Sequence, residues 1–148
     1  MIPTAALENF TLNITQEIHV KASLEATFEA MLEQLGPYNE RADGLPMPMK
    51  LEPWPGGRWF RDLGDENGHF WAQVQAIKRP TLLEFTGPLF SSSPLLSNVQ
   101  YRLKEADGGT LISFRHTAFG FMEEQHRMGV NEGWRSILAR IQKQAEAR

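Results

Sequence analysis

Residues 98–118 read NVQYRLKEADGGTLISFRHTA, and two runs of strict alternation meet there across one turn. Val99, Tyr101 and Leu103 share one parity, while Asn98, Gln100, Arg102 and Lys104 share the other. Beyond Asp107-Gly108-Gly109, the series Ile112, Phe114, His116 and Ala118 opposes Leu111, Ser113, Arg115 and Thr117. A period of two puts one parity on a buried face and the other in water. The stretch therefore predicts an antiparallel hairpin, with strands over 98–104 and 110–118 and one face turned to a core. The period then changes. From Glu123 to about Glu146, Val130, Trp134, Ile137, Leu138 and Ile141 recur largely at spacings of 3 and 4 among polar residues, which predicts a helix of roughly 35 Å at 1.5 Å per residue. Such a helix is long enough to cross a small sheet from edge to edge.

Working back toward the N-terminus, strand signals recur at short intervals. Leu82 to Thr86 and Phe70 to Ile77 are separated by Arg79-Pro80-Thr81, and Gly64-Asp65-Glu66-Asn67-Gly68 is the break before them. Arg58 to Leu63 and Met49 to Trp54 flank Pro55-Gly56-Gly57, where paired glycines are expected to supply the positive φ angles of a tight turn. Residues 37–48 are rich in Pro, Gly and polar side chains and read as a loop or broken helical turn leading into the next strand. Ser23 is placed to cap a helix through Gln34, with Leu24, Phe28, Met31, Leu32 and Leu35 as its apolar stripe and Gly36-Pro37 as its stop. Thr11 to Val20 alternates again, with Leu12, Ile14, Ile18 and Val20 on the inner parity. Meandering strands need no crossover helices, so the sheet should be mostly antiparallel. The expectation is one α+β domain over 1–148, its core about 12–145: a curved antiparallel sheet of about six to seven strands wrapped around a long C-terminal helix, with a short helix after the first strand.

Composition narrows the function classes. A chain of 148 residues is long enough to bury a sizeable core. It has no cysteine, which excludes disulfides and thiolate chemistry and suits a reducing compartment, so a cytoplasmic location is expected. The formal charge of -3 arises from interspersed acids and bases, without the basic stripe that phosphate backbones require, and nucleic acid is not an expected partner. Nowhere do 18 or more apolar residues run together, and Met1 to Phe10 lacks the pattern of an export signal, so membrane insertion is not expected.

Several local strings carry a family resemblance. Residues 21–30, KASLEATFEA, resemble the "A-S-P-E-x-V-F-x-A" opening of a first helix, and Pro53 to Phe60, PWPGGRWF, is similar to a "P-x-x-G-G-R-W/F" hairpin. Trp71-Ala72-Gln73-Val74 is similar to "W-G-x-V", with alanine in the usual place of glycine. Gly133-Trp134 with Leu138 and Ile141 resembles "G-W-x-x-x-L-x-x-L". In order and spacing these strings resemble the helix-grip superfamily of START and pollen-allergen proteins, also called SRPBCC. The branch most similar is the one related to the C-terminal domain of the heat-shock ATPase activator, which sits beside polyketide cyclases and lipid carriers. The resemblance implies a fold and a pocket more firmly than an activity.

In such a fold the concave face of the sheet and the long helix enclose a cavity. Strand and helix parity nominate Trp59, Trp71, Phe85, Tyr101, Phe114 and His116 from the sheet, and Val130, Trp134 and Ile137 from the helix, as ligand-binding residues. The same side chains also read as ordinary core. Trp134 next to Gly133 has a structural reading, in which the glycine lets the helix approach a strand closely. His116 either meets a ligand or is a satisfied core histidine bonded to Tyr101 or a backbone carbonyl. His19, His69 and His126 share no metal-ligand spacing, so no metal site is expected, and neither glycine pair sits in a nucleotide-binding frame. No cofactor is implied. Ser91-Ser92-Ser93 lacks a nucleophile-elbow frame, and no catalytic residue is assigned.

Residues 87–97, GPLFSSSPLLS, are apolar where a loop should be polar. They read as a lid or partner surface, or as a plug in which Leu89, Phe90, Leu95 and Leu96 close the open end of the sheet. A homodimer formed there would be isologous. Three functions follow as expectations: binding of a small hydrophobic molecule, a cyclase- or aromatase-like enzyme using His116 helped by Tyr101, and a module acting on a chaperone ATPase.

Overall fold

The computed structural model describes residues 7–148. In it the parity of residues 98–118 is the parity of the sheet. Seven strands are hydrogen-bonded in the order β1-β7-β6-β5-β4-β3-β2, every neighbouring pair antiparallel. They are β1 (Thr11–Val20), β2 (Lys50–Leu51), β3 (Arg58–Gly64), β4 (Asn67–Lys78), β5 (Leu82–Gly87), β6 (Leu95–Ala106) and β7 (Gly109–Gly120). Two helices complete the chain, α1 (Leu24–Leu35) after β1 and α2 (Glu124–Glu146) at the end. The result is the α+β helix-grip arrangement.

The central hairpin pairs Val99 with His116, Tyr101 with Phe114 and Leu103 with Ile112. All six are buried, so each cross-strand pair adds to one apolar surface. That surface continues through Leu83 and Phe85 of β5, Val74 and Trp71 of β4 and Trp59 of β3, and it meets Val130, Trp134, Leu138 and Ile141 of α2 in one core cluster. Phe28, Met31 and Leu35 of α1 join it, whereas Leu24 and Leu32 are only partly buried. Ser23 caps α1, its Oγ accepting from the N–H of Ala26 at 3.1 Å. The two helices are tied side by side by Gln34 Nε2 donating to Gln144 Oε1 at 2.6 Å. At the far side α2 is held to β1 by Gln16, whose Nε2 donates to the carbonyl of Asn131, and by Gln142, whose Nε2 donates to the carbonyl of His19. No helix among the described residues is long and apolar enough to cross a membrane.

Three expectations are corrected. The strand expected over Met49 to Trp54 is only Lys50–Leu51, because residues 52–57 form a turn in which Arg58 grips Glu52 through Nε and Nη2, both at 2.9 Å. Of the paired glycines only Gly56 has a positive φ, +80°. Gly57 is needed for space: a Cβ there would overlap the carbonyl of Glu52. The hairpin strands also run further than their alternation, to Leu95 and Gly120, so the last three residues of the apolar segment expected as a loop, Leu95 to Ser97, belong to strand β6.

Segment 87–97 divides between its two readings. Leu89 and Leu95 are buried and plug the sheet end, while Phe90 and Leu96 stay exposed.

Candidate functional site

A cavity of about 360 Å³ lies along α2. On α2 its lining includes His126, Gly129, Val130, Gly133, Trp134, Ser136, Ile137 and Arg140; opposite stand Trp59, Trp71, Phe90 and the segment Asn39 to Ala42 with Met47. The helix positions 126, 129, 133, 136 and 140 follow spacings of 3 and 4, so they form one face. Two of the five are glycine and one is serine, and a Cβ added at Gly129 or Gly133 would meet nothing within 4 Å. The cavity exists because this face is slim where the indoles opposite are bulky. Gly133 therefore does not serve close helix-strand contact, as its place beside Trp134 had indicated: the space beside it is open.

Ring packing and two indole hydrogen bonds hold the opposing wall. Trp59 is buried, stacked on Phe85 at 4.8 Å and edge-on to Trp71 at 5.1 Å. Its Nε1 donates to the carbonyl of Leu35 at 2.7 Å, which satisfies one of the acceptors that the end of α1 leaves open. Trp71 Nε1 donates to His69 Nδ1 at 3.1 Å. Phe90 stands at the mouth, edge-on to Trp71 and stacked on His126 at 4.5 Å. Burial lowers the His126 pKa from its ordinary value, against the opposing pull of Glu123, and the rings of Phe90, His126 and Trp71 make this end of the cavity aromatic.

Of the residues nominated from sequence, the fold brings Trp59, Trp71, Val130, Trp134 and Ile137 to the cavity wall. Phe85, Tyr101, Phe114 and His116 are in the core behind it and are not among the lining residues. His116 is bonded to neither Tyr101 nor a backbone carbonyl. Trp134 Nε1 donates to His116 Nδ1 at 2.9 Å, and His116 Nε2 lies 2.9 Å from Ser97 Oγ. An indole nitrogen only donates, so His116 is the neutral tautomer with its proton on Nε2, given to Ser97. Burial holds its pKa down at about 4. Tyr101 packs edge-on to Phe114 at 5.0 Å, and its buried hydroxyl has no partner; burial pushes its ionisation far above the ordinary range.

The family model described as activator of Hsp90 ATPase homolog 1-like protein matches residues 21–146. The chain belongs to that family. No curated protein matches it in sequence. Solved structures resemble it in fold. An uncharacterized protein from Rhizobium leguminosarum is 18% identical with a TM-score of 0.70, over 93% of this chain and 96% of that one. The Aha1 dimer from Colwellia psychrerythraea is 16% identical with a TM-score of 0.65, over 91% and 96%. The di-domain ARO/CYC protein BexL of the BE-7585A biosynthetic pathway is 18% identical with a TM-score of 0.68, over 95% of this chain and 52% of that one. At such identities the likeness is one of fold.

Within this activator-of-Hsp90-ATPase-homolog-1-like chain, several lining residues escaped the sequence reading. Asn39 to Met47 lie in a segment that reads as a loop or broken helical turn, and Phe90 in one with two readings. Arg140 was legible in principle, since it stands three residues after Ile137 and seven after Gly133 and so interrupts an otherwise apolar and small helix face with a charge.

Proposed function

We propose that the protein binds a small hydrophobic molecule in the cavity beside α2. The observation that supports this reading is the slim helix face of Gly129, Gly133 and Ser136 opposite Trp59 and Trp71, which leaves about 360 Å³ unfilled. Protein interiors are close-packed, with few voids larger than a water. Ligand sites run to about 300–1,000 Å³ and are mostly apolar with a few placed polar groups. Two indoles and Phe90 offer flat, apolar contact area, with Arg140 and Asn39 as the polar groups.

The cyclase-like alternative, in which His116 moves protons, has less support. Both ring nitrogens of His116 are engaged and the ring lies behind Trp134. The family's description and the Aha1 neighbour favour a second reading, contact with a chaperone ATPase, for which Leu96 and Phe119, paired across β6 and β7 and both exposed, offer an apolar surface.

Native mass spectrometry of freshly purified protein tests the cavity reading. The expected result is a bound small molecule in the parent that is missing from Gly133→Leu, whose side chain would occupy the space. A parent without any adduct, whose tryptophan fluorescence also ignores a panel of aromatic and aliphatic compounds, would remove it. The same spectra give the oligomeric state and so test a homodimer.

A further inference from the structure

We infer that the molecule held in this cavity is an amphipathic monocarboxylate whose head group is bound by Arg140. The inference rests on the cavity reading above and adds the ligand's charge and its orientation.

Arg140 lines the cavity and is partly buried. Its Nε donates to Gln34 Oε1 at 3.3 Å, Nη1 to Ser136 Oγ at 2.8 Å and Nη2 to the carbonyl of Glu40 at 3.5 Å. All three acceptors are neutral groups. Among the described residues no ion pair includes Arg140. A half-buried charge held by neutral groups alone is costly, and buried charges are as a rule paired. Three N–H groups are engaged and a guanidinium has two more, one on each terminal nitrogen. That is the fork that matches a carboxylate.

The other charged residues of the lining do not neutralise it. Arg41 is committed to Asp43, Nη2 to Oδ2 at 2.9 Å. Glu40 presents its carbonyl to Arg140 while its carboxylate makes no ion pair with it. The opposite end of the cavity, at His126, Phe90 and Trp71, is aromatic. Along α2, His126 and Arg140 are separated by roughly 21 Å at 1.5 Å per residue. The cavity thus has a cationic end and an apolar end. It selects a molecule with one anionic head and an apolar body directed toward Phe90.

Decanoate and decanol, which share a chain and differ in head group, separate this inference from the one beneath it. Titration of each into the parent protein at pH 7.5, followed by tryptophan fluorescence and calorimetry, should show decanoate binding about tenfold tighter or more, as a charge-assisted hydrogen bond allows. In Arg140→Met the advantage should vanish through weaker decanoate binding alone, with decanol unchanged and reporting that the cavity is intact. Arg140→Lys, which keeps the charge and loses the fork, should recover part of it. Equal binding of the two by the parent overturns the carboxylate inference and leaves the cavity reading standing; so does a preference that survives in Arg140→Met. Binding of neither overturns the carboxylate inference, while the native spectra and the compound panel decide the cavity reading separately. Should Arg140→Met fail to fold, the comparison in the parent still decides.

Discussion

Trp134 Nε1 donates to His116 Nδ1 at 2.9 Å, and that one bond fixes the protonation state of a histidine at the heart of the core. A second proton on His116 would set two donors against each other in a buried site. Its pKa is accordingly depressed from 6.5 to about 4, with burial as the main cause. The unfolded chain therefore binds this proton more readily than the folded one. The stability it contributes is complete above pH 6.5 and is lost as the pH falls through that value toward 4. Between pH 7 and 4.5 the loss should be about 2 kcal/mol. Urea unfolding at both pH values measures it, and His116→Gln, which offers an acceptor and a donor but does not titrate, should remove that share of the pH dependence. An unchanged difference would show that His116 is not the group responsible.

Ser97 accepts the hydrogen bond from the single N–H of the ring. Ser97 is buried on β6, and its hydroxyl is the partner of His116 Nε2 at 2.9 Å. Ser97→Ala leaves a buried N–H with no acceptor and should cost about 1–3 kcal/mol in urea unfolding. Ser97→Thr keeps the oxygen and should lose much less. Equal losses would mean that packing, not the hydrogen bond, governs the site.

Tyr101 is the converse case, with a buried hydroxyl and no partner to lose. Tyr101→Phe removes the unsatisfied group while keeping the ring that packs on Phe114. Its stability should equal the parent's or exceed it by up to about 1 kcal/mol. A clear loss on chemical denaturation would reveal a hydrogen bond carried by bound water.

What the sequence revealed and what it hid follow from one physical distinction. Alternation along 98–118 is written by the difference between a wet face and a dry one, so the strands and the inward set of Tyr101, Phe114 and His116 could be read directly. The cavity is written by volume, not polarity. Nothing in a period of two separates Trp59, which faces empty space, from Phe85, which is packed beneath it. Gly129 and Gly133 carry the information by having no side chain, and a glycine in a helix reads first as a packing device. Likewise the partner of His116 is Trp134, contributed by an element 18 residues away in the chain, and no local spacing connects the two. Gly57 shows a related limit. A glycine pair signals a turn, but the requirement at the second position is room beside Glu52, which only the folded backbone defines.

That requirement separates the glycines by experiment. At Gly57 any side chain collides with the backbone of Glu52, so Gly57→Ala should destabilise by several kcal/mol, on the order of other strained or overpacked sites. At Gly133 the added methyl meets nothing within 4 Å. A helical glycine costs roughly 1 kcal/mol relative to alanine through backbone entropy, so Gly133→Ala should stabilise the protein by up to about that amount. The fold would thus keep a destabilising residue in the middle of α2, and the space beside it offers a reason. Gly133→Leu should remain folded and lose affinity for whatever enters the cavity, because its side chain fills the volume a ligand would take. Thermal unfolding and fluorescence titration, run together on the three variants, give the answer. A Gly133→Leu protein that binds decanoate as the parent does would place the ligand elsewhere.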